Sequence, residues 1–241
     1  MQIKAVISYD GTLFFGSQIQ PEQRSVIGEF KKALGFLNIE SKIDVSGRTD
    51  RGVHATYQVI NFKLPAFWSD LEKLKNSLNR VLPDDIYVRK LNLVDESFNS
   101  RFSAKKRLYR YIVSTKEPNP FEKKYITFVD SINEQRIKEA IELFEGVHNF
   151  KYFKKEGSDN KSDVREIFKT RFYNFRGYYI FYFEANSFLR SQIRLMVGFL
   201  LNISNKKLSK EDLRNALELK VRYNIKLAPE QGLYLAKVKY G

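Results

Sequence analysis

The sequence predicts an α+β fold with antiparallel sheets. Strand and helix patterns alternate in both halves of the 241-residue chain, and the links between them are short. The strand-like runs 164–175 and 178–185 also flank Arg176-Gly177, which is the pattern of a β-hairpin. Short links and neighbouring hairpin strands favour antiparallel pairing over a doubly wound parallel sheet.

Three strands and two helices are predicted in the first hundred residues. The strands are expected over 2–9, 58–64 and 86–94, and the helices over 26–37 and 69–82. Apolar and polar side chains alternate along much of the first strand, and one face therefore carries Ile3, Ala5, Ile7 and Tyr9. The second helix is expected to begin at Ser69, at capping-box spacing from Glu72, and to stop at Pro83.

The second half repeats this style. Strands are expected over 108–114, 164–175, 178–185 and 233–240, and helices over 133–145, 188–203 and 208–219. Ser209 and Asp212 have the spacing of a capping box at the start of the last helix. The polar stretch 154–163 is predicted to be a loop.

The positive charge of the chain is concentrated after residue 100. The chain carries 42 Lys and Arg against 28 Asp and Glu, a net charge of +14. Residues 1–100 hold 13 basic and 12 acidic side chains, whereas residues 101–241 hold 29 and 16. This step predicts two domains, 1–100 and 101–241, with the basic domain second. Such a charge, with 15% aromatic residues, favours RNA as the partner over a membrane; a basic solvated surface over aromatic strands is the alternative.

Several functional classes are excluded by what the sequence lacks. With no cysteine and two histidines, it has no disulfide, thiol nucleophile, thiolate zinc site or multi-histidine metal cage. It has no G-x-S-x-G elbow, P-loop or G-x-G-x-x-G fingerprint. Its longest apolar stretch, 195–201, is far shorter than the roughly 20 residues that span a bilayer. We therefore expect a soluble, cytoplasmic protein without a thiolate or multi-histidine metal site.

The segment 46–55 (SGRTDRGVHA) is the strongest candidate for chemistry. Its glycines can hold Asp50 in a defined pose, and Arg48 and Arg51 would favour the ionised form of that carboxyl group. A carboxylate of this kind can attack an electrophilic sugar carbon. A glycine-bounded turn with a surface ion pair is the structural alternative.

Other candidates have equally plain structural explanations. Asp10 follows a strand and precedes glycine, which is typical of a turn, although Asp10 and Asp50 could belong to a metal-dependent nuclease. His54 could be a general base or simply a hydrogen-bonded histidine, and His148 is expected in the turn after a helix.

Two further segments carry basic residues next to apolar or aromatic ones. Arg190 and Arg194 are expected four apart on one face of the apolar helix 188–203, where a buried arginine needs a carboxylate or phosphate. The alternative is that both arginines reach solvent from the edge of the helix. The strand containing Tyr109 follows a basic run, and we expect RNA contacts from Lys105, Lys106, Arg107 and Arg110. A base could stack on a tyrosine of this strand, or the tyrosine could belong to the core.

Taken together, five segments of the chain resemble the tRNA pseudouridine synthase A family. In order they are YDGT at 9–12 with Phe15-Gly16 and Gln18; SGRTDRGVHA at 46–55; FSA at 102–104 with Arg107 and YRY at 109–111; Phe188-Leu189 with Ile193-Arg194 and MVG at 196–198; and Ala228-Pro229 with GLYL at 232–235. The resemblance extends from about residue 3 to the C-terminus.

This resemblance implies a fold and an activity. The fold is two similar α/β-sandwich halves that form one extended antiparallel sheet with a central catalytic cleft. The activity is isomerisation of uridine to pseudouridine in the tRNA anticodon stem-loop, at positions 38–40, without a cofactor. The partners implied are tRNA and a second copy of the chain in a homodimer.

The resemblance also assigns roles to individual residues. Asp50 is implied to be the catalytic aspartate, and Arg194 the basic residue that pairs with it. Tyr109 is implied to pack on the target base, Arg48 to take part in extruding the nucleotide, and Leu233 to line the pocket.

The chain departs from the family pattern at two places. Ser17 stands where the family commonly has tryptophan, and Asn99-Ser100 stand where histidine and alanine are usual. We expect the first change to remove a packing contact and both to alter the fit to RNA. A non-catalytic tRNA-binding protein remains the alternative function.

Overall fold

The computed structural model describes residues 1–157 and 161–241. Residues 158–160 of the predicted loop 154–163 lie outside the described residues. The strands are β1 (Gln2–Tyr9), β2 (Asp44–Val45), β3 (His54–Lys63), β4 (Ile86–Val94), β5 (Ala104–Ser114), β6 (Thr127–Phe128), β7 (Gly146–Asn149), β8 (Val164–Phe175), β9 (Tyr178–Ala185) and β10 (Leu233–Tyr240). The α-helices are α1 (Val26–Phe36), α2 (Leu71–Val81), α3 (Glu134–Ile141), α4 (Gln192–Ser204) and α5 (Lys210–Leu217).

The chain folds into two compact units. Unit 1 comprises Met1–Lys105 and Tyr234–Gly241, and unit 2 comprises Lys106–Leu233. The division predicted from the charge lies at 100/101, whereas the compact units divide at 105/106 and again at 233/234. The last strand of the chain therefore packs with the first unit.

Unit 1 is built on strands in the order β4-β1-β3-β10, with β2 also paired to β3. The β1–β3, β1–β4 and β2–β3 pairs are antiparallel, and β3 and β10 are parallel. The predicted face of β1 is buried, and Val6 on its other face is buried too. Helices α1 and α2 each bury an apolar stripe, formed by Phe30, Leu34, Leu74 and Leu78.

Unit 2 has strands in the order β5-β9-β8-β7, with the short β6 parallel to β5. The β5–β9, β9–β8 and β8–β7 pairs are antiparallel. Its core is rich in aromatic rings, all of them almost fully buried: Phe144, Phe150, Phe153, Phe181, Phe183 and Phe199. The predicted α+β fold with mostly antiparallel strands is thus confirmed.

Several predicted boundaries are confirmed to the residue. Strands β1 and β4 and the hairpin β8–β9, with Arg176-Gly177 as its turn, have the predicted limits. The capping box of α5 forms between Ser209 and Asp212. These elements depend on short-range patterns, which a sequence shows directly.

Other boundaries were predicted wrongly. Helix α2 is capped by Asp70 and not by Ser69, because the Asp70 carboxylate accepts hydrogen bonds from the backbone N–H groups of Glu72 and Lys73. Helix α4 begins at Gln192 and not at 188, since Ser191 has a left-handed backbone with φ of +59°. Arg190 therefore lies outside the helix that carries Arg194.

Two further details differ from the sequence-based expectation. His148 lies in strand β7 and not in a turn after a helix. The pattern over 133–145 covers α3 and a following 3₁₀ turn, Glu142–Phe144. Across residues 1–157 and 161–241, no helix has the length and apolar character needed to cross a membrane.

Candidate active site

The Asp50 loop, residues 46–55, connects β2 to β3 within unit 1 and includes the first two residues of β3. Asp50 is half-buried and Arg48 and Arg51 are exposed, whereas Thr49 is only 7% exposed. The Arg51 guanidinium lies over the Phe15 ring, with its central carbon 4.4 Å from the ring centroid. The loop thus alternates between solvent-facing cations and buried side chains that hold it in place.

Ser17 holds the backbone of Thr49, the residue that precedes Asp50. The Thr49 N–H donates to Ser17 Oγ at 2.9 Å, and the Ser17 N–H donates to the Thr49 carbonyl at 3.1 Å. Ser17 is fully buried. Both backbone polar groups of Thr49, the residue before Asp50, are therefore hydrogen-bonded to Ser17, at the position where a packing contact was expected to be missing.

A buried polar network supports the same loop through side chains. The hydroxyl groups of Tyr9 and Thr49 lie 2.8 Å apart. Gln58 Nε2 lies 3.5 Å from the Tyr9 hydroxyl and donates to the Gly47 carbonyl at 2.8 Å, while Ser46 donates to Gln58 Oε1 at 2.6 Å. Burial raises the pKa of Tyr9 to about 12, so its hydroxyl stays protonated above the pH at which an exposed tyrosine ionises.

The segment 10–17 approaches the loop so closely that glycine is required. A Cβ atom on Gly11 would lie 2.1 Å from the Val53 carbonyl oxygen. Gly16 has φ of +101°, and a Cβ atom there would lie 2.8 Å from the Thr49 carbonyl oxygen. The glycines of the YDGT and FG motifs are therefore explained by backbone packing against the Asp50 loop.

Asp10 contacts His54, which lies near the end of this loop at the first position of β3. His54 is 2% exposed, and its Nδ1 lies 3.0 Å from the Gly11 amide nitrogen and 3.2 Å from Asp10 Oδ1. Asp10 Oδ1 also accepts from the Thr12 N–H at 2.9 Å, which is the turn geometry expected for Asp-Gly. The His54 ring stacks on Tyr234, with the ring centroids 4.7 Å apart. In the part of the chain that the structure describes, no group of three or more His, Asp or Glu side chains could hold a metal ion.

Tyr109 and Leu233 are both buried residues of unit 2. Tyr109 lies in β5, is 7% exposed and meets Phe188 edge to face, with the ring centroids 5.3 Å apart. Leu233 begins β10 and is 6% exposed. Strand pairing places Tyr109 opposite Phe183, and Tyr111 shares its face as predicted.

Arg194 is held firmly within unit 2. Its Nε donates to the Ala228 carbonyl at 2.6 Å, and its guanidinium forms an ion pair with Glu230 at 2.9 Å. The Ala228 N–H in turn donates to the Arg194 carbonyl at 3.1 Å. The arginine on this apolar helix therefore has the carboxylate partner that burial demands.

The four basic residues expected to bind RNA differ in exposure. Lys105, in unit 1, is exposed, and so is Arg110 in unit 2. Lys106 pairs with Glu184 at 3.4 Å, and Arg107 is 8% exposed and donates to the Asn186 carbonyl at 2.7 Å.

Three residues of these sites escaped the sequence analysis. In the sequence, Ser17 stands out only as a departure from the family pattern, and no motif marks Gln58 or Glu230 as a site residue. A signal existed for Glu230, because it directly follows the Ala228-Pro229 motif and a buried arginine requires an acid. For Gln58 the sequence contains no comparable signal, since its partners depend on strand register.

Comparison with known proteins supports one family over nearly the whole chain. The family model described as tRNA pseudouridine synthase matches residues 5–103 and 140–241. The chain is 44% identical to tRNA pseudouridine synthase A of Wolinella succinogenes, over 98% of this chain and 93% of that one. It is 40% identical to the protein of the same name from Campylobacter jejuni strain RM1221, over 100% of both chains, and 41% identical to that of Helicobacter hepaticus, over 98% of both.

A solved structure described as "Crystal Structure of a Cbf5-Nop10-Gar1 Complex" resembles the chain more distantly. The TM-score is 0.40 and the identity 12%, over 97% of this chain and 47% of that one. The family model and the full-length relatives are sufficient: the chain belongs to the tRNA pseudouridine synthase family.

Proposed function

We propose that the protein converts uridine to pseudouridine in tRNA and that Asp50 is its catalytic residue. The observation that carries this proposal is the family match over nearly the whole chain, in which SGRTDRGVHA holds a half-buried carboxylate on a loop with a fixed backbone. The loop backbone is fixed by Ser17 and by the Tyr9–Gln58 network. A carboxylate positioned before substrate arrives loses little freedom in the transition state.

The reaction rearranges atoms within one nucleotide. The target uridine leaves the base stack, at a cost of a few kcal/mol, which contacts with the phosphates can supply. The bond from C1′ to N1 breaks and a bond from C1′ to C5 forms, while C5 loses a proton and N1 gains one. Asp50 assists the first step, either by attack on the sugar or by promoting elimination.

The remaining site residues take the roles that the family resemblance implies. Arg194 pairs with the Asp50 carboxylate, Tyr109 packs on the target base, Arg48 helps to extrude the nucleotide, and Leu233 lines the pocket. Within unit 2, Glu230 and the Ala228 carbonyl would keep the Arg194 guanidinium oriented for this task.

The proposal extends to the substrate region and the assembly. The uridines are those at positions 38–40 of the anticodon stem-loop, and the enzyme acts as a homodimer in the cytoplasm. Contacts to RNA come from the basic residues around β5, with Lys105 and Arg110 the exposed members. Pseudouridine mapping of tRNA from cells with and without the protein tests the positions, and sedimentation tests the dimer.

The substitution Asp50→Asn tests the catalytic assignment. It keeps the shape of the side chain and removes its charge, so we expect pseudouridine formation to be abolished while tRNA binding is retained. Asp44→Asn is the matched control, because Asp44 is a carboxylate in the neighbouring strand β2 and pairs with Lys42 at 3.4 Å. Activity of the Asp50→Asn protein near the wild-type level would reject the assignment. Wild-type protein that binds tRNA without forming pseudouridine would support the non-catalytic alternative.

A further inference from the structure

The hairpin β8–β9 ends in an exposed aromatic and basic tip. Phe175 is 55% exposed and pairs in register with Tyr178 across the two-residue turn. Both turn residues have a left-handed backbone conformation, Arg176 with φ of +54° and Gly177 with φ of +83°. A turn with two positive φ angles matches the twist of a hairpin and holds its flanking residues in a defined orientation.

Cations lie on the aromatic rings of this tip. The Arg176 guanidinium carbon lies 5.3 Å from the centroid of the Phe175 ring, and Lys116 Nζ lies 4.9 Å from that of the Tyr178 ring. A Cβ atom on Gly177 would lie 2.8 Å from Lys116 Nζ. The Lys116 ammonium group therefore sits directly against the turn.

A hydrogen-bonded carboxylate ties the tip to the segment that contains Phe121. The Tyr178 hydroxyl donates to Glu122 Oε1, and Asn119 Nδ2 donates to Glu122 Oε2. Phe121, next to Glu122, is 88% exposed, the largest exposed fraction among the large hydrophobic residues in the described part of the protein. We call Lys116, Phe121, Phe175, Arg176 and Tyr178 the hairpin patch.

We propose that the hairpin patch binds tRNA through its phosphates and through an unpaired base that stacks on Phe175 or Phe121. Aromatic rings accept any base by stacking, and neighbouring cations meet the phosphates on either side of it. This proposal rests on tRNA as the partner in the proposed function, and it adds a contact outside the Asp50 loop.

The charge of the patch favours RNA over a second copy of the chain. The segments 115–125 and 175–178 contain Lys116, Lys123, Lys124 and Arg176 against Glu117 and Glu122. Glu122 is already engaged by Tyr178 and Asn119. Two such basic patches facing each other would repel, whereas a polyanion is complementary to the patch.

Direct binding of one purified tRNA to the full chain tests the proposal. For Phe121→Ala/Phe175→Ala we expect the Kd to rise about fivefold or more, since base stacking on one ring is worth about 1–3 kcal/mol. The kcat for pseudouridine formation is expected to stay unchanged while KM rises with Kd. For Lys116→Gln/Arg176→Asn we expect the slope of log K against log salt to fall by about 1–2; Asn tolerates the left-handed turn position.

Phe36→Ala is the matched control, because Phe36 is 75% exposed on α1 in unit 1. Its Kd for tRNA is expected to equal that of the wild type. A wild-type Kd and salt slope in both double variants would overturn the proposal. So would a changed sedimentation coefficient with an unchanged Kd, because a second copy would then occupy the patch. Binding is measured independently of isomerisation. A wild-type protein without activity would therefore contradict the proposed function, while the Kd values would still test tRNA binding by the hairpin patch.

Discussion

Single hydrogen bonds decide how the Asp50 loop is held. Ser17 contributes only one hydroxyl group, yet that group accepts from the backbone of Thr49 in a fully buried place. A buried N–H without an acceptor costs more than an average hydrogen bond gains, because its desolvation is not compensated. Ser17 is thus a small side chain with a large expected effect.

Ser17→Ala removes this acceptor and keeps the size of the side chain close to that of serine. We expect the free energy of unfolding to fall by about 1–3 kcal/mol, as measured by urea denaturation. Ser131→Ala, at an exposed serine, is the control and should leave that energy within about 0.5 kcal/mol of the wild type. Equal stability of the two variants would mean that the Thr49 N–H finds another partner.

Among elements, helix α4 shows how a motif can serve packing as much as chemistry. Gly198 belongs to the MVG motif, and a Cβ atom there would lie 2.5 Å from the Lys226 carbonyl oxygen. The segment that packs so closely on the helix also supplies Ala228 and Glu230 to Arg194. Close packing of the helix and orientation of its arginine are therefore linked.

Gly198→Ala should push this segment away from the helix. We expect a loss of about 1–3 kcal/mol or more in the free energy of unfolding, because the clash is with backbone and not with a flexible side chain. Gly35→Ala in α1 is the matched control, since a Cβ atom there meets nothing within 4 Å. That change should stabilise the protein by about 0.5–1 kcal/mol, as alanine favours a helix over glycine. Thermal or urea unfolding of both variants gives the two changes in the free energy of unfolding. Changes of the same sign would contradict the packing argument.

Elements that depend on residues close together in the sequence were predicted most accurately. The hairpin β8–β9 and the capping box of α5 were predicted to the residue, because turn residues and caps act over two to four positions. The start of α4 was predicted too early, because the mostly apolar run begins at Phe188 and the sequence pattern does not show that the backbone of Ser191 is left-handed.

In the molecule as a whole, tyrosines with raised pKa values link stability to alkaline pH. Burial raises the pKa of Tyr9 to about 12 and that of Tyr111 well above its usual value, and burial together with Glu184 raises that of Tyr182 to about 12. A raised pKa means that the folded protein holds its proton more tightly than the unfolded chain, whose tyrosines titrate near 10. Stability is therefore unaffected by these groups below pH 10 and falls as the pH rises from about 10 to 12.

Tyr9→Phe tests this linkage at the Asp50 loop. For the wild type we expect the free energy of unfolding to decrease between pH 10 and 12, with Tyr9 alone contributing on the order of 2–3 kcal/mol. The variant should be less stable at pH 8, because it loses the bond to Thr49, and its decline above pH 10 should be shallower. Parallel pH profiles of the two proteins, from urea denaturation, would contradict the role of Tyr9.

The sequence by itself determined the fold class, the hairpin, the apolar faces of the helices and the motifs that identify the family, because all of these depend on patterns that span a few residues. It also placed Asp50 in a glycine-bounded loop. Only the tertiary structure decided what holds that loop and Arg194: Ser17 meets Thr49 from 32 positions away, and Glu230 meets Arg194 from 36. Such partners depend on strand register and on how closely backbones pack, and these properties emerge only when distant segments are brought together by a shared core.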